Sequence, residues 1–291
     1  LLDIFTKLQG VKAIYRFALS FLFAFAAVCA NAAPAMPNRF FAMDTAGGSL
    51  DLLKELGYVG QAGTFRGNAD DAARQVAELE KRGMTICAIY AGAKLNKDGF
   101  HFGGDFAALL AALKGHDVLI WIHTSSKDFR PSDEDGDAIA VPALQQLADQ
   151  SAGAGLRIAI YPHRDMWTER VQDGIRLAEK VNRKNFGVTF NLCHCLSVGD
   201  GEKIPQLLEQ ARPHLFMVTI NGADTGGTNW QQLIQPLGSG TYDPGIVLRK
   251  LQQLAYTGPV AFQGFGIGGD RREILTKTMQ AWQSLSGQTA K

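Results

Sequence analysis

Eight short apolar runs, each followed by a stretch of helical periodicity, are the strongest constraint on what this chain can fold into. The runs are Arg39–Asp44, Tyr58–Gln61, Met84–Tyr90, Val118–His123, Leu156–Tyr161, Phe186–Asn191, Leu215–Asn221 and Pro259–Gln263. Most are continuous, as in VLIWIH and LRIAIY, and few alternate. A continuous run suits a strand covered on both faces, as in a parallel sheet wrapped by helices. Between the runs, DDAARQVAELEKRG (Asp70–Gly83) places Ala72, Ala73, Val76 and Leu79 on one face and ends in Gly. Asp105–Asp117 follows the same plan. So do VPALQQLADQ, WTERVQDGIRLAEKV, KIPQLLEQAR, DPGIVLRKLQQLAYTG and DRREILTKTMQAWQSL, while a shorter SLDLLKELG follows the first run. Eight βα units in roughly 250 residues predict an α/β fold, a closed (β/α)8 TIM barrel. An open doubly wound sheet would carry G-x-G-x-x-G after its first strand; FFAMDTAGG stands there instead, so no nucleotide cofactor is expected. Without a linker or a low-complexity tract, the barrel is read as one domain, residues 33–291.

Residues 1–32 read as an address. Phe17–Ala30 is apolar and uncharged, Lys12 and Arg16 precede it, and Ala30-Asn31-Ala32 follows. This is the pattern of a cleaved secretory signal peptide. The apolar run is shorter than the roughly 20 residues of a spanning helix, so no stable membrane anchor is expected. Val11 could be an alternative start, making residues 1–10 an artefactual extension. The expected destination is a bacterial periplasm or the outside of the cell. Lys plus Arg is 29 and Asp plus Glu 28, a formal net charge of +1. Cleavage would remove Lys7, Lys12, Arg16 and Asp3, leaving −1. That balance excludes an electrostatically driven nucleic-acid binder. Of four Cys, Cys29 leaves with the signal. The odd remainder, Cys87, Cys193 and Cys195, is not the framework of a disulfide-stabilised domain.

In a barrel, chemistry sits at the C-terminal ends of the strands. Of six His, His116 and His214 precede strands and belong to the other face. His123, His163 and His194 follow strands four, five and six, which are neighbours, so the three imidazoles are expected to converge. They are the candidate catalytic groups, since imidazole titrates near neutral pH. They are also the candidates for holding one divalent transition metal, Zn²⁺, Mn²⁺ or Fe²⁺. Tyr161, Asn191, Asn221, Asp224 and Gln263 complete a polar ring. Amides and imidazoles both donate and accept hydrogen bonds, which suits the hydroxyls of a small carbohydrate. Trp167 and Trp230 lie in top-face loops as candidate sugar-stacking platforms. The acid-rich loop from Asp128 to Pro142 is long enough for a lid, and its spacing is wrong for a calcium loop. Gly264–Glu273 occupies the usual phosphate position of a barrel, but an Asp270/Glu273 capping box would compete for the same N–H groups. Cys193 and Cys195 are assigned to packing, on the opposite side of a strand from His194.

The order of these strand-end motifs resembles the xylose isomerase-like TIM barrels, the sugar isomerase/epimerase group that includes endonuclease IV. Asn191-Leu-Cys-His194 resembles the family's Asp-x-x-His, and Asn221-Gly-Ala-Asp224 its His-x-x-Asp. Tyr161 and Gln263 stand where the family has the Glu of strands five and eight. The resemblance implies sugar isomerisation or epimerisation, with a divalent metal held by Glu, Asp, His and Glu. Here those four positions carry Tyr161, Asn191, Asn221 and Gln263. Amides cannot take the proton that the family's Glu pair moves. The expectation is therefore a remodelled site in an isomerase- or epimerase-like protein. The alternatives are a non-catalytic sugar-binding barrel, or a lyase or hydrolase acting on an oxidised sugar. A nuclease is disfavoured for want of a cationic groove.

Overall fold

Alternation along each strand sorts the apolar side chains into two layers. In β1 (Phe40–Met43), Phe41 and Met43 join a cluster with Trp121, Tyr161 and Met217 that fills the barrel. Phe40 and Ala42 join the larger layer between strands and helices. The other barrel strands are β2 (Gly60–Thr64), β3 (Thr85–Asn96), β5 (Leu119–Ser126), β6 (Arg157–Ile160), β7 (Phe186–Asn191), β8 (Leu215–Ile220) and β9 (Val260–Phe262). In this computed structural model, which describes residues 35–287, they pair in parallel in the order β1-β2-β3-β5-β6-β7-β8-β9 and close through β9 and β1. The expected (β/α)8 TIM barrel is the fold. The proposed signal peptide lies outside the described residues.

The helices are α1 (Leu50–Glu55), α2 (Ala69–Glu80), α3 (Phe106–Leu113), α4 (Asp137–Gly153), α5 (Val171–Val181), α6 (Leu192–Ser197), α7 (Ile204–Ala211), α8 (Trp230–Leu233), α9 (Gly245–Gln253) and α10 (Arg271–Ser286). Side-chain caps begin several of them: Ser49, Asn68, Asp105 and Asp270 each accept a hydrogen bond from an N–H of the first turn. Asp270 thus occupies donors that a phosphate would need. Among the described residues, no helix is long and apolar enough to cross a membrane.

Three local features depart from the sequence reading. The third strand does not stop at Tyr90. It runs to Asn96 and folds back as an antiparallel strand, β4 (Gly99–Phe102), across a tight turn at Lys97-Asp98. The Asp98-Gly99 pair is a hairpin signal. The fourth strand extends alongside it to Ser126, so a three-stranded flap rises beyond the barrel. After Asn191 the chain turns at once into α6, so Cys193, His194 and Cys195 are helical and do not alternate across a strand. Two register shifts each leave one residue extra: Cys87 on β3 against β2, and Phe216 on β8 against β7. Such bulges bend a strand and re-aim its side chains.

The acid-rich loop is fastened down, which argues against a mobile lid. Asp173 on α5 is the anchor. Its Oδ2 accepts hydrogen bonds from Ser132 Oγ at 2.7 Å, from the Arg170 N–H at 2.8 Å and from the Glu169 N–H at 3.0 Å. Its Oδ1 accepts from Arg176 Nη1 at 2.8 Å. Arg176 and Lys180 in turn hold the buried Asp137 at the start of α4. Trp167 Nε1 donates to the Asp133 carbonyl at 2.7 Å, and a Cβ on Gly136 would lie 2.9 Å from that nitrogen. One carboxylate therefore ties together the loops that follow β5 and β6. Asp173→Ala should lower stability by about 3 kcal/mol, because it strands buried donors. Urea unfolding should show this, while Glu179→Ala, at an exposed site on the same helix, should leave the midpoint unchanged.

Candidate functional site at the barrel mouth

Three imidazoles meet above β5, β6 and β7. His123 pairs with Gly92 in the β3–β5 extension, and its ring stacks on Tyr90 with centroids 4.4 Å apart. A Cβ on Gly92 would stand 3.1 Å from the His123 ring, so any larger residue there would press on the imidazole. His163 lies just beyond β6, and His194 is in the first turn of α6, 5% exposed. The His163 and His194 centroids are 4.1 Å apart; those of His123 and His163 are 6.2 Å apart. The partners set the tautomers. His163 Nδ1 is 2.8 Å from the Arg164 carbonyl, so it carries the proton and leaves Nε2 with a lone pair. His194 Nδ1 accepts from the Arg164 N–H at 3.4 Å, which puts its proton on Nε2. Burial pushes all three pKa values down: His123 to about 4, with His163 as a second cause, His163 below its usual value, and His194 well below. At neutral pH the cluster is uncharged, one ring offering a base and another a donor.

Beneath it, polar groups are already spent on one another. Gln263 Oε1 accepts from Thr45 Oγ1 and from the Phe265 N–H, both at 3.1 Å, and Nε2 donates to the Tyr161 hydroxyl at 3.4 Å. Burial raises the Tyr161 pKa well above its usual value, so it stays a phenol. Asn191 donates to the Pro162 carbonyl and Thr189 Oγ1, and accepts from Thr219 Oγ1. Asn221 donates to the Gly222 and Leu233 carbonyls, and only its buried Oδ1 is without a partner. These four side chains carry no charge, and most of their oxygens are engaged, so they do not fit the divalent cation that the resemblance implies. Hard cations favour anionic carboxylates. The imidazoles form no ligand set either. The His123 ring centroid stands 6.2 Å from that of His163. Among the described residues, no group of three or more His, Cys, Asp or Glu is placed to hold a metal ion.

The two tryptophans separate. Trp230 stays at the mouth, its ring edge-on to His194 at 5.4 Å and under the Arg164 guanidinium at 5.7 Å. Trp167 is 1% exposed and packs in the outer core, so it is a structural residue and not a sugar platform. Asp224 binds Gln235 Nε2 and the Thr241 N–H, closing its own loop. Sequence reasoning passed over Asp44, although it ends the first apolar run and so stands at a strand end. It follows β1, which lies diametrically across the barrel from β6. Its Oδ1 is buried without a partner, and Arg66 Nη2 lies 3.6 Å from Oδ2. Burial raises its pKa, against the opposing pull of Thr64 and Arg66.

Comparison with known proteins agrees with this architecture. Residues 50–285 match the family described as xylose isomerase-like TIM barrel. No curated protein sequence matches the chain. Among solved structures, D-allulose 3-epimerase from Methylomonas sp. in complex with D-allulose superposes with a TM-score of 0.67 at 15% identity, covering 86% of this chain and 98% of that one. The 3-keto-D-glucoside 4-epimerase from E. coli gives 0.66 at 18% identity, covering 85% and 99%. The IolI protein, solved with a zinc atom, gives 0.66 at 15%, covering 86% and 98%.

Acid should destabilise this protein through its imidazoles. Each has a folded pKa below its unfolded value of 6.5, so the unfolded chain binds more protons between the two. Stability should therefore fall as pH drops from 6.5 towards 4, the folded value of His123. Chemical denaturation across that window checks it; His123→Phe should flatten the slope. An unchanged slope would refute the burial argument.

Proposed function

The chain belongs to the xylose isomerase-like TIM barrel family, and from that premise we propose that it is a carbohydrate isomerase or epimerase working by proton transfer next to a carbonyl. The observation that carries the reading is the neutral imidazole pair His163–His194 with complementary tautomers, set across the rim from Asp44. The sugar neighbours support a small carbohydrate as ligand. The leader-like segment at residues 17–32 supports work outside the cytoplasm.

In this scheme a keto sugar lies over Tyr161 with one face against Trp230. His163 Nε2 takes the proton from the carbon next to the carbonyl. The C–H electron pair becomes the C=C bond of an enediolate, and the carbonyl π pair moves to oxygen, whose negative charge the His194 Nε2–H stabilises by a hydrogen bond. Return of a proton to carbon from Asp44, on the far side of the rim, gives the epimer. Asp44 is left as a carboxylate and His163 as an imidazolium, and solvent resets both. Burial, which raises the Asp44 pKa, favours the protonated acid this step needs. No step is assigned to a metal, because the strand-end side chains are bonded to one another.

The test is deuterium uptake by D-fructose and D-allulose in D₂O, followed by NMR. Exchange at the carbon beside the carbonyl is expected with the full chain, and it should survive EDTA. His163→Ala and His194→Ala should each reduce it by about 10²-fold or more. Asp44→Asn should block epimer formation while exchange persists. Saturable binding without exchange would make the protein a binding barrel, and loss of exchange with EDTA would restore the metal.

A further inference from the structure

At the opposite end of the barrel, the chain entering β1, β3, β5, β6 and β9 surrounds a cavity of about 390 Å³, a volume typical of small-molecule sites. The two bulges lie at this end. Cys87 lies in the cavity wall with Phe41 and Ile86, and Phe216 packs against the inner cluster to which Phe41 and Cys87 belong. Two guanidinium groups reach the cavity from diametrically opposite strands. Arg39, just before β1, lies 5.2 Å from the Phe41 ring centroid, and Arg157, the first residue of β6, lies 5.3 Å from that of Phe216. Stacking fixes where each planar group points.

Two guanidinium groups face two carboxylates here, but the pairing is uneven. Glu80 Oε1 is 2.8 Å from His116 Nδ1, and the largely exposed Asp117 is 3.1 Å from Arg157 Nη2. Arg39 donates through Nη2 to Thr85 Oγ1 at 2.6 Å, and among the described residues it has no carboxylate partner. Four further N–H donors of its fork remain. Phe41, Ile86, Cys87 and Pro259 supply the apolar part of a wall that also carries Thr85, His116 and Thr257.

We propose that this cavity binds a small monocarboxylate with an apolar body, its carboxylate gripped by Arg39 and Arg157 and its body set against Phe41, Ile86 and Cys87. A guanidinium fork matches a carboxylate in two parallel hydrogen bonds, and the apolar wall selects against a bare inorganic anion. Asp117, exposed and held by one surface pair, gives way to the ligand at Arg157. The site is independent of the chemistry at the mouth.

Benzoate is the probe, titrated calorimetrically into the full chain in a chloride buffer. One saturable site is expected. Arg39→Ala and Arg157→Ala should each weaken it at least about tenfold, as should replacing benzoate with benzamide. His194→Ala, at the other end, should leave it unchanged. Arg39→Gln, with circular dichroism as control, guards against a folding defect in the alanine variant. Benzamide binding as tightly as benzoate, inorganic phosphate matching it, indifference to both arginine changes, or loss in His194→Ala would each overturn the assignment.

Discussion

The buried carboxylate of Asp173 is the point on which the upper half of the barrel depends. It accepts from a serine of one loop, from two backbone N–H groups of the next, and from an arginine that also grips the neighbouring helix. Burying a carboxylate is costly unless every lone pair is satisfied. Here four donors converge on two oxygens, so the cost is offset only when both loops are in place. The loop that presents His163 and Arg164 is one of them. A single charge far from solvent thereby couples helix packing to the shape of the rim.

Above that anchor, the mouth is built from neutral groups that satisfy one another. Carboxylates at several strand ends would need a cation to coexist. Amides, a phenol and uncharged imidazoles do not, so the ring forms without a counter-ion. The cost is paid in pKa: His123, His163 and His194, packed in a desolvated site, take up a proton less readily than a free imidazole. Asp44 is the exception at the rim. Its unpartnered oxygen marks the place where a donor from outside the protein would be most favourable.

The barrel was legible because strands buried on both faces leave continuous apolar runs, and Val118–His123 and Phe186–Asn191 needed no other signal. The imidazole cluster followed from strand adjacency alone. The hairpin at Asn96–Gly99 was missed because AGAKLN is too rich in small residues to read as a strand, although Asp98-Gly99 marks its turn. Helix α6 has no side-chain cap and six residues, too few for a period to emerge. Trp167 and Trp230 could not be told apart, since a loop position does not say whether the indole turns inward. Only the Asp133 carbonyl and the space above Gly136 decide that for Trp167.

The three buried thiols carry a chemical consequence of their own. Burial raises the pKa of Cys193 and Cys195 to about 12 and that of Cys87 higher still. Burial thus holds Cys193 and Cys195 as thiols at neutral pH, and the thiolate is the form that attacks a disulfide or an oxidant. Once the barrel is folded, these three thiols are redox-silent. Its vulnerable interval is before the barrel closes, when Cys193 and Cys195, two residues apart, still have ordinary acidity and meet oxidants in the open.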